Sequence, residues 1–169
     1  MSDPLASSPN GVRPGGSGRV WPWLVALAGL LIDQHSKAWA IQHLNPGQPQ
    51  PLLPGLLQLR RVANSGAAFS LFSGNSHLLG VVSAVVALAV AGWLLLRPPR
   101  GLWLNLALAL VMAGALGNGL DRWRLGVVID FLELVPIHFP IFNFADVAIN
   151  AAVVCFLLDS WQQRPRRRG

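Results

Sequence analysis

Charge is scarce in this chain, and acid is scarcest. Of 169 residues only 12% are charged, and Asp and Glu together number seven. Soluble domains carry roughly 25% charged residues. This chain, 53% hydrophobic, therefore belongs with membrane proteins, at a length suited to one domain. A single cysteine, Cys155, lies inside an apolar run, which excludes a disulfide framework and argues against a cysteine metal cluster. There is no His-Glu-x-x-His, and His35, His43, His77 and His138 stand apart, as interfacial residues do. Neither metal nor cofactor is expected. The net charge of +6 comes from basic residues gathered at the ends of apolar runs. That is the distribution of topology signals rather than of a nucleic-acid-binding face.

Apolar runs are what the chain has in quantity. A helix needs about 20 mostly apolar residues to cross the hydrocarbon core. Leu78 to Leu96 is the cleanest, Leu102 to Leu116 is bounded by Gly101 and Gly117, and Ile141 to Leu158 is interrupted by Asn143, Asp146 and Asn150. Val20 to Ile41 is the fourth, polar from Asp33 to Lys37. Those polar residues stand where a cleaved secretory signal would be small and neutral, so the segment reads as a retained span. The expected class is an all-α membrane protein of four transmembrane helices with a small extracytoplasmic β-sheet and loop. Residues 1–19, rich in Gly, Ser and Pro, read as a disordered cytoplasmic tail; 20–161 form the membrane domain; 162–169 form a basic cytoplasmic tail.

Arg13, Arg19, Arg97, Arg100, Arg164, Arg166, Arg167 and Arg168 fall on one side of these spans. Lys37, Arg60, Arg61, Arg122 and Arg124 fall on the other. The positive-inside rule then places both termini in the cytoplasm and the loops at about 42–76 and 118–140 outside. Trp21, Trp23, Trp39 and Trp161 sit near span ends, as an interfacial belt requires. Leu52 to Ser70, punctuated by Pro54-Gly55, reads as short strands lying on the membrane surface.

Against this background the aspartates stand out. Asp33, Asp121, Asp130 and Asp146 lie in or beside apolar segments, where a central Asp costs about 2.5–3.5 kcal/mol and defaults to a functional reading. Asp33 and Lys37 are i and i+4 on one helix face, able to neutralise each other. Asp121 can pair with Arg122 or Arg124. Asn64-Ser65-Gly66 suits a tight turn that approaches a ligand closely. Val127-Val128-Ile129 reads as a strand carrying Asp130 out of the preceding helix. Pro140 suits a helix start, which would set Asn143, Asp146 and Asn150 as one stripe facing the bundle interior. Asp130 and Asp146 alone have no basic neighbour in sequence. Two such acids near one membrane surface can meet as a dyad in which one keeps a proton, supplying a general base for water and a general acid for a leaving amine. Ser36 beside Lys37 does not make a Ser-Lys hydrolase, because helix neighbours point in different directions.

These blocks, in this order, resemble the bacterial lipoprotein signal peptidases (signal peptidase II). They are Asp33-Gln34-x-Ser36-Lys37, then Asn64-x-Gly66-Ala67-Ala68-Phe69. Gly117-Asn118-x-x-Asp121-Arg122 follows, running into Gly126-x-Val128-x-Asp130-Phe131, and the last is Phe142-Asn143-x-Ala145-Asp146. The resemblance covers roughly residues 20–160. It departs at Ala113-Gly114, where the family often has paired glycines. It implies an aspartic endopeptidase of the inner membrane that cuts a prolipoprotein just before its diacylglyceryl-modified cysteine. Asp130 and Asp146 match the catalytic pair. Asn64, Gly66, Asn118, Arg122 and Asn143 match the residues lining the substrate site, while Asp33, Lys37 and Asp121 match structural support. Diacylglyceryl prolipoproteins, membrane lipid and the inhibitor globomycin are the implied partners, with a monomer expected. A proton-coupled transporter is the rival reading, but it wants an acid at mid-span and access from both sides. A scaffold protein would need no unpaired acids.

Overall fold

The computed structural model describes residues 20–66, 75–99, 101–137 and 139–163. Residues 1–19 and 164–169 of the expected tails, His138 and the Ala67-Ala68-Phe69 part of the second block lie outside the described residues. Four helices and three strands follow in the order α1 (Trp21–His43), β1 (Gln50–Leu53), β2 (Leu57–Asn64), α2 (Ser76–Leu96), α3 (Leu102–Leu125), β3 (Val128–Leu134) and α4 (Phe144–Gln162). Of the described helices, α2, α3 and α4 are long and apolar enough to cross a membrane. At 23 residues α1 reaches about 34 Å, but its Asp33 to Lys37 stretch dilutes its apolarity. Large apolar side chains point outward along α2 and α4, among them Leu88, Leu95, Val153 and Leu157. In water such surfaces would be a liability; against lipid they are the required covering.

α3 is the axis of the bundle, packed against each of the other three helices. Small residues let it serve three neighbours at once, as close packing in lipid demands. A Cβ at Gly29 of α1 would lie 2.8 Å from the Ala113 Cβ. At Gly119 it would lie 2.9 Å from Ser83 of α2, and at Gly114 it would meet Ala145 O of α4 at 2.6 Å. The Ala113-Gly114 pair thus serves two interfaces at once. Aliphatic contacts fill the rest, with Ala26, Val90, Leu94, Leu108, Ala109 and Met112 forming one buried cluster.

Two helix boundaries differ from the sequence expectation. Gly117 does not end α3; the helix runs on to Leu125, because Gly126, at φ 73°, supplies the left-handed residue that closes it. Asn118, Asp121 and Arg122 therefore lie on a helix and not in an outer loop. Nor does α4 start at Pro140. Phe142 pairs in antiparallel fashion with Leu132, its N–H donating to Leu132 O at 2.9 Å, which holds the chain extended until Asn143 caps the helix.

The three strands form one antiparallel sheet in the order β1-β2-β3. Asp130 sits on β3, whose residues Val128–Leu132 are buried. Between Leu59↔Leu132 and Val62↔Asp130, β2 advances three residues while β3 advances two. The extra residue, at Arg60-Arg61, is a β-bulge.

The α3–α4 seam yields a direct test. Gly114→Ala forces a Cβ against the Ala145 carbonyl and Ile149, and we expect a loss of about 1–3 kcal/mol. Gly92→Ala on α2, with nothing within 4 Å of the added Cβ, is expected to be neutral or to stabilise by about 0.5–1 kcal/mol. Thermal unfolding of both variants in detergent checks the pair; equal unfolding temperatures would contradict this packing.

Candidate active site

The site is built outward from Lys37. Its ammonium, on a residue 2% exposed, has three protons and three oxygens to receive them. Asp33 Oδ2 lies at 2.9 Å, Asp121 Oδ2 at 3.0 Å and Asn118 Oδ1 at 2.9 Å. The i,i+4 pair with Asp33 thus forms as its spacing allows. Asp121, however, pairs with Lys37 across the helix interface and not with its neighbours Arg122 and Arg124, because α3 turns its carboxylate toward α1. Gln34, given no role from sequence, knits the group together by reaching Asp33 Oδ2, Gly117 O and Asp121 Oδ1. Asp33 extends the network to α4, where its Oδ1 accepts the Ala145 N–H at 2.9 Å.

From Lys37 the chain of bonds passes through amides to the two remaining aspartates. An ammonium can only donate, so it fixes Asn118 with Oδ1 inward, leaving Nδ2 to donate to Asp146 Oδ1 at 2.8 Å. Asp146 closes a reciprocal capping box at the start of α4: its Oδ2 accepts the Asn143 N–H at 3.1 Å, and its own N–H donates to Asn143 Oδ1 at 3.0 Å. With its oxygen engaged there, Asn143 turns Nδ2 to Asp130 Oδ1 at 2.6 Å and to Asn118 Oδ1 at 3.1 Å. Asn143 is fully buried and touches both members of the expected dyad.

Asp130 takes its second donor from Asn64, whose Nδ2 lies 2.9 Å from Oδ2. The β2 bulge makes that contact possible. Counting back from Leu59↔Leu132 without the extra residue, Ala63 would share the face of Asp130 and Asn64 would point to the other side. The Asn64 amide is oriented by the Gly66 N–H, which donates to Oδ1 at 2.9 Å. Arg122 then holds that turn, donating to Gly66 O at 3.1 Å and to Asn118 O at 3.3 Å.

Asp130 and Asp146 line one open cavity of about 810 Å³, together with Asn64, Gly66, Asn118 and Arg122. Asn143 lies behind this wall, and Asp33, Lys37 and Asp121 lie behind it in turn. Much of the remaining wall is apolar: Val62, Phe139, Ile141, Val147, Ala151 and Val154. Sequence reasoning named none of these as site residues, since an apolar residue on a membrane helix carries no signal of which side it faces. Asn150 also reaches the cavity, but on an exposed position of α4, its amide donating to Asp146 O. It is not the interior stripe residue expected from its spacing. Ser36 donates to Asp33 O at 2.7 Å, and Cys155 is buried among Ala107 and Ala152, away from the cavity.

Among the described residues no cationic side chain lies within 4 Å of either cavity carboxylate. Asp130, 3% exposed, has its carboxyl pushed up to about 6, chiefly by burial and further by the nearby Asp146. The Asn64 and Asn143 amides and the Lys37 charge oppose the rise. Asp130 can therefore keep its proton to a higher pH than an ordinary carboxyl, beside Asp146 in a largely apolar cleft.

Residues 25–162 match the family described as Signal peptidase (SPase) II. The chain is 51% identical to the lipoprotein signal peptidase of Synechococcus sp. (strain RCC307), over 86% of this chain and 97% of that protein. It is 50% identical to that of Parasynechococcus marenigrum (strain WH8102), over 86% and 92%. A solved structure described as a bacterial membrane enzyme, determined by the in meso method at 2.3 Å, superposes with a TM-score of 0.78 at 26% identity. That match covers 88% of this chain and 94% of the other.

The raised Asp130 carboxyl predicts a pH-dependent stability. The folded state binds this proton more tightly than the unfolded state, whose value is the ordinary 3.8. The resulting stabilisation is complete below 3.8 and is lost as pH rises through about 6. It amounts to about 3 kcal/mol at most. Asp130→Asn lacks it, so the stability advantage of wild type over this variant should shrink between pH 4 and pH 7. Tryptophan-monitored unfolding across that range reads the difference; a constant gap would contradict the assignment.

Proposed function

The chain belongs to the signal peptidase II family, and from that premise we propose that it removes signal peptides from diacylglyceryl-modified prolipoproteins, using Asp130 and Asp146 as an aspartic pair. The observation that carries this reading is the pairing itself: two carboxylates on one cavity wall, held by amide N–H groups and, among the described residues, by no cation. Carboxylates meant only to stabilise a fold would be paired with a cation, as Asp33 and Asp121 are with Lys37. An unneutralised pair in a mostly apolar cleft is suited to sharing a proton and passing it on.

The substrate is the prolipoprotein, cut just before its lipidated cysteine. The scissile peptide lies against the pair, with water entering at the open mouth. The apolar wall accommodates the signal segment and acyl chains, while Asn64, Gly66, Asn118 and Arg122 offer polar contacts to the peptide backbone. Asn143 holds the two acids in register, and Asp33, Lys37 and Asp121 are the support beneath. Globomycin occupies the same cavity and excludes substrate.

The enzyme sits in the cytoplasmic membrane with residues 20–161 as its membrane domain. In this reading α1 is the fourth span: its charged residues Asp33 and Lys37 are buried against α3 and α4, so the two charges that weaken its apolar signal are covered. Both termini are cytoplasmic, the cavity opens near the outer face, and the chain works as a monomer. A transporter is disfavoured because Asp33, Asp121, Asp130 and Asp146 cluster at one end of α3.

Cleavage of a diacylglyceryl prolipoprotein in detergent tests the reading. Asp130→Asn and Asp146→Asn should each reduce turnover by at least about 100-fold, with the unfolding transition and globomycin binding retained. Full activity in either variant removes the aspartic mechanism. A wild type that never cuts returns the transporter reading.

A further inference from the structure

The two cavity carboxylates are not equivalent, and the difference traces to the buried ammonium. Asp146 lies in the first turn of α4, where unpaired backbone N–H groups and the helix dipole favour negative charge. One of its oxygens takes a backbone N–H. The other takes an amide proton from Asn118, whose own oxygen is pinned by Lys37 Nζ at 2.9 Å. Hydrogen bonds in such a chain polarise one another, so the Lys37 charge strengthens the donor that Asn118 presents to Asp146. Asp130 feels the Lys37 charge through space but has neither the helix start nor the amide relay. It sits on a strand, which has little net dipole, and its partners are two side-chain amides.

We propose that Lys37, acting through Asn118, fixes the polarity of the pair: Asp146 rests ionised and is the base, while Asp130 rests protonated and is the acid. The proposal rests on the reading of the pair as catalytic and assigns each member its role. In the first step Asp146 takes a proton from water as the water oxygen bonds to the scissile carbonyl carbon. Asp130 gives its proton to the carbonyl oxygen, and a neutral gem-diol results. In the second step Asp146 returns its proton to the amide nitrogen as the C–N bond breaks. Asp130 recovers a proton from one hydroxyl, leaving a carboxylic acid, an amine and the pair in its starting state. Lys37 touches neither substrate nor water, so it is a positioning residue. The other charged groups around Asp146 are Asp130 and Arg122 on the cavity wall, with Asp33 and Asp121 beyond Lys37. The burial that pushes the Asp130 carboxyl up to about 6 acts in the same direction.

Infrared difference spectra of the full chain in detergent at pH 5 read the polarity without turnover. Wild type minus Asp130→Asn should show loss of a protonated-carboxyl C=O band, and wild type minus Asp146→Asn loss of a carboxylate band. The reverse assignment overturns the proposal. The role of Lys37 is tested by Lys37→Met combined with Asp33→Asn. The starting group has one cation against two carboxylates and the variant keeps one carboxylate, so the net charge stays at −1 while the ammonium leaves Asn118. We expect kcat at neutral pH to fall about 10–100-fold with KM within about twofold, and the acid limb of the kcat profile to move up by about one pH unit. Loss of kcat with an unmoved acid limb, or movement of the alkaline limb alone, overturns the positioning role. Where that double variant fails to fold, Asn118→Leu carries the same expectation for the acid limb. Failure of the underlying reading is distinguishable: Asp130→Asn or Asp146→Asn would still cut, whereas inactive variants with reversed bands overturn the polarity alone.

Discussion

A single buried ammonium organises this molecule. Lys37 would be costly in a membrane helix if any of its protons lacked an acceptor, since an isolated charge in a low-dielectric interior is penalised by several kcal/mol. Its three acceptors come from α1 and α3, and one of them, Asp33, also receives a backbone N–H from α4. Satisfying Lys37 therefore fixes how three helices meet. The same requirement explains Gly117, where any side chain would collide with Asp33: an added Cβ would lie 2.5 Å from its Oδ2. Helix packing and charge neutralisation are one constraint here.

The second layer follows from the directionality of amides. Asn64, Asn118 and Asn143 each have an oxygen engaged by a donor, at Gly66 N, Lys37 Nζ and Asp146 N respectively. Each amide nitrogen is thereby aimed at an acid. The result is a cavity wall on which two carboxylates are held in place by neutral groups, with the cations kept at one remove. Substituting salt bridges for these amides would ionise both acids firmly and leave neither with a proton to give.

Sequence made much of this legible, and its failures are instructive. The apolar runs marked all four helices to within a few residues at most ends, and the absence of basic neighbours singled out Asp130 and Asp146. Partners distant in sequence were not readable. The adjacent arginines are the partners that sequence offers Asp121, because nothing in its neighbourhood points to Lys37, more than eighty residues earlier. Gly117 reads in sequence as a helix end although its role is close approach, since glycine serves both purposes. The bulge at Arg60-Arg61 left no local signature, yet it decides that Asn64 and not Ala63 faces Asp130. Apolar lining residues such as Val147 and Val154 were invisible for a different reason: in a membrane protein apolarity no longer reports which side faces inward.

The position of the cavity follows from the same economy. Four acids and a buried lysine cannot be placed at mid-span without a large desolvation cost, but at the end of α3 they can share one network with the sheet. There β3 delivers Asp130 and α4 begins with Asp146, so a strand and a helix start bring two acids together from different elements. Neither element alone could supply both environments. A helix N-terminus favours charge and a buried strand disfavours it, and the proposed division of the pair into a base and an acid rests on that contrast between two identical side chains.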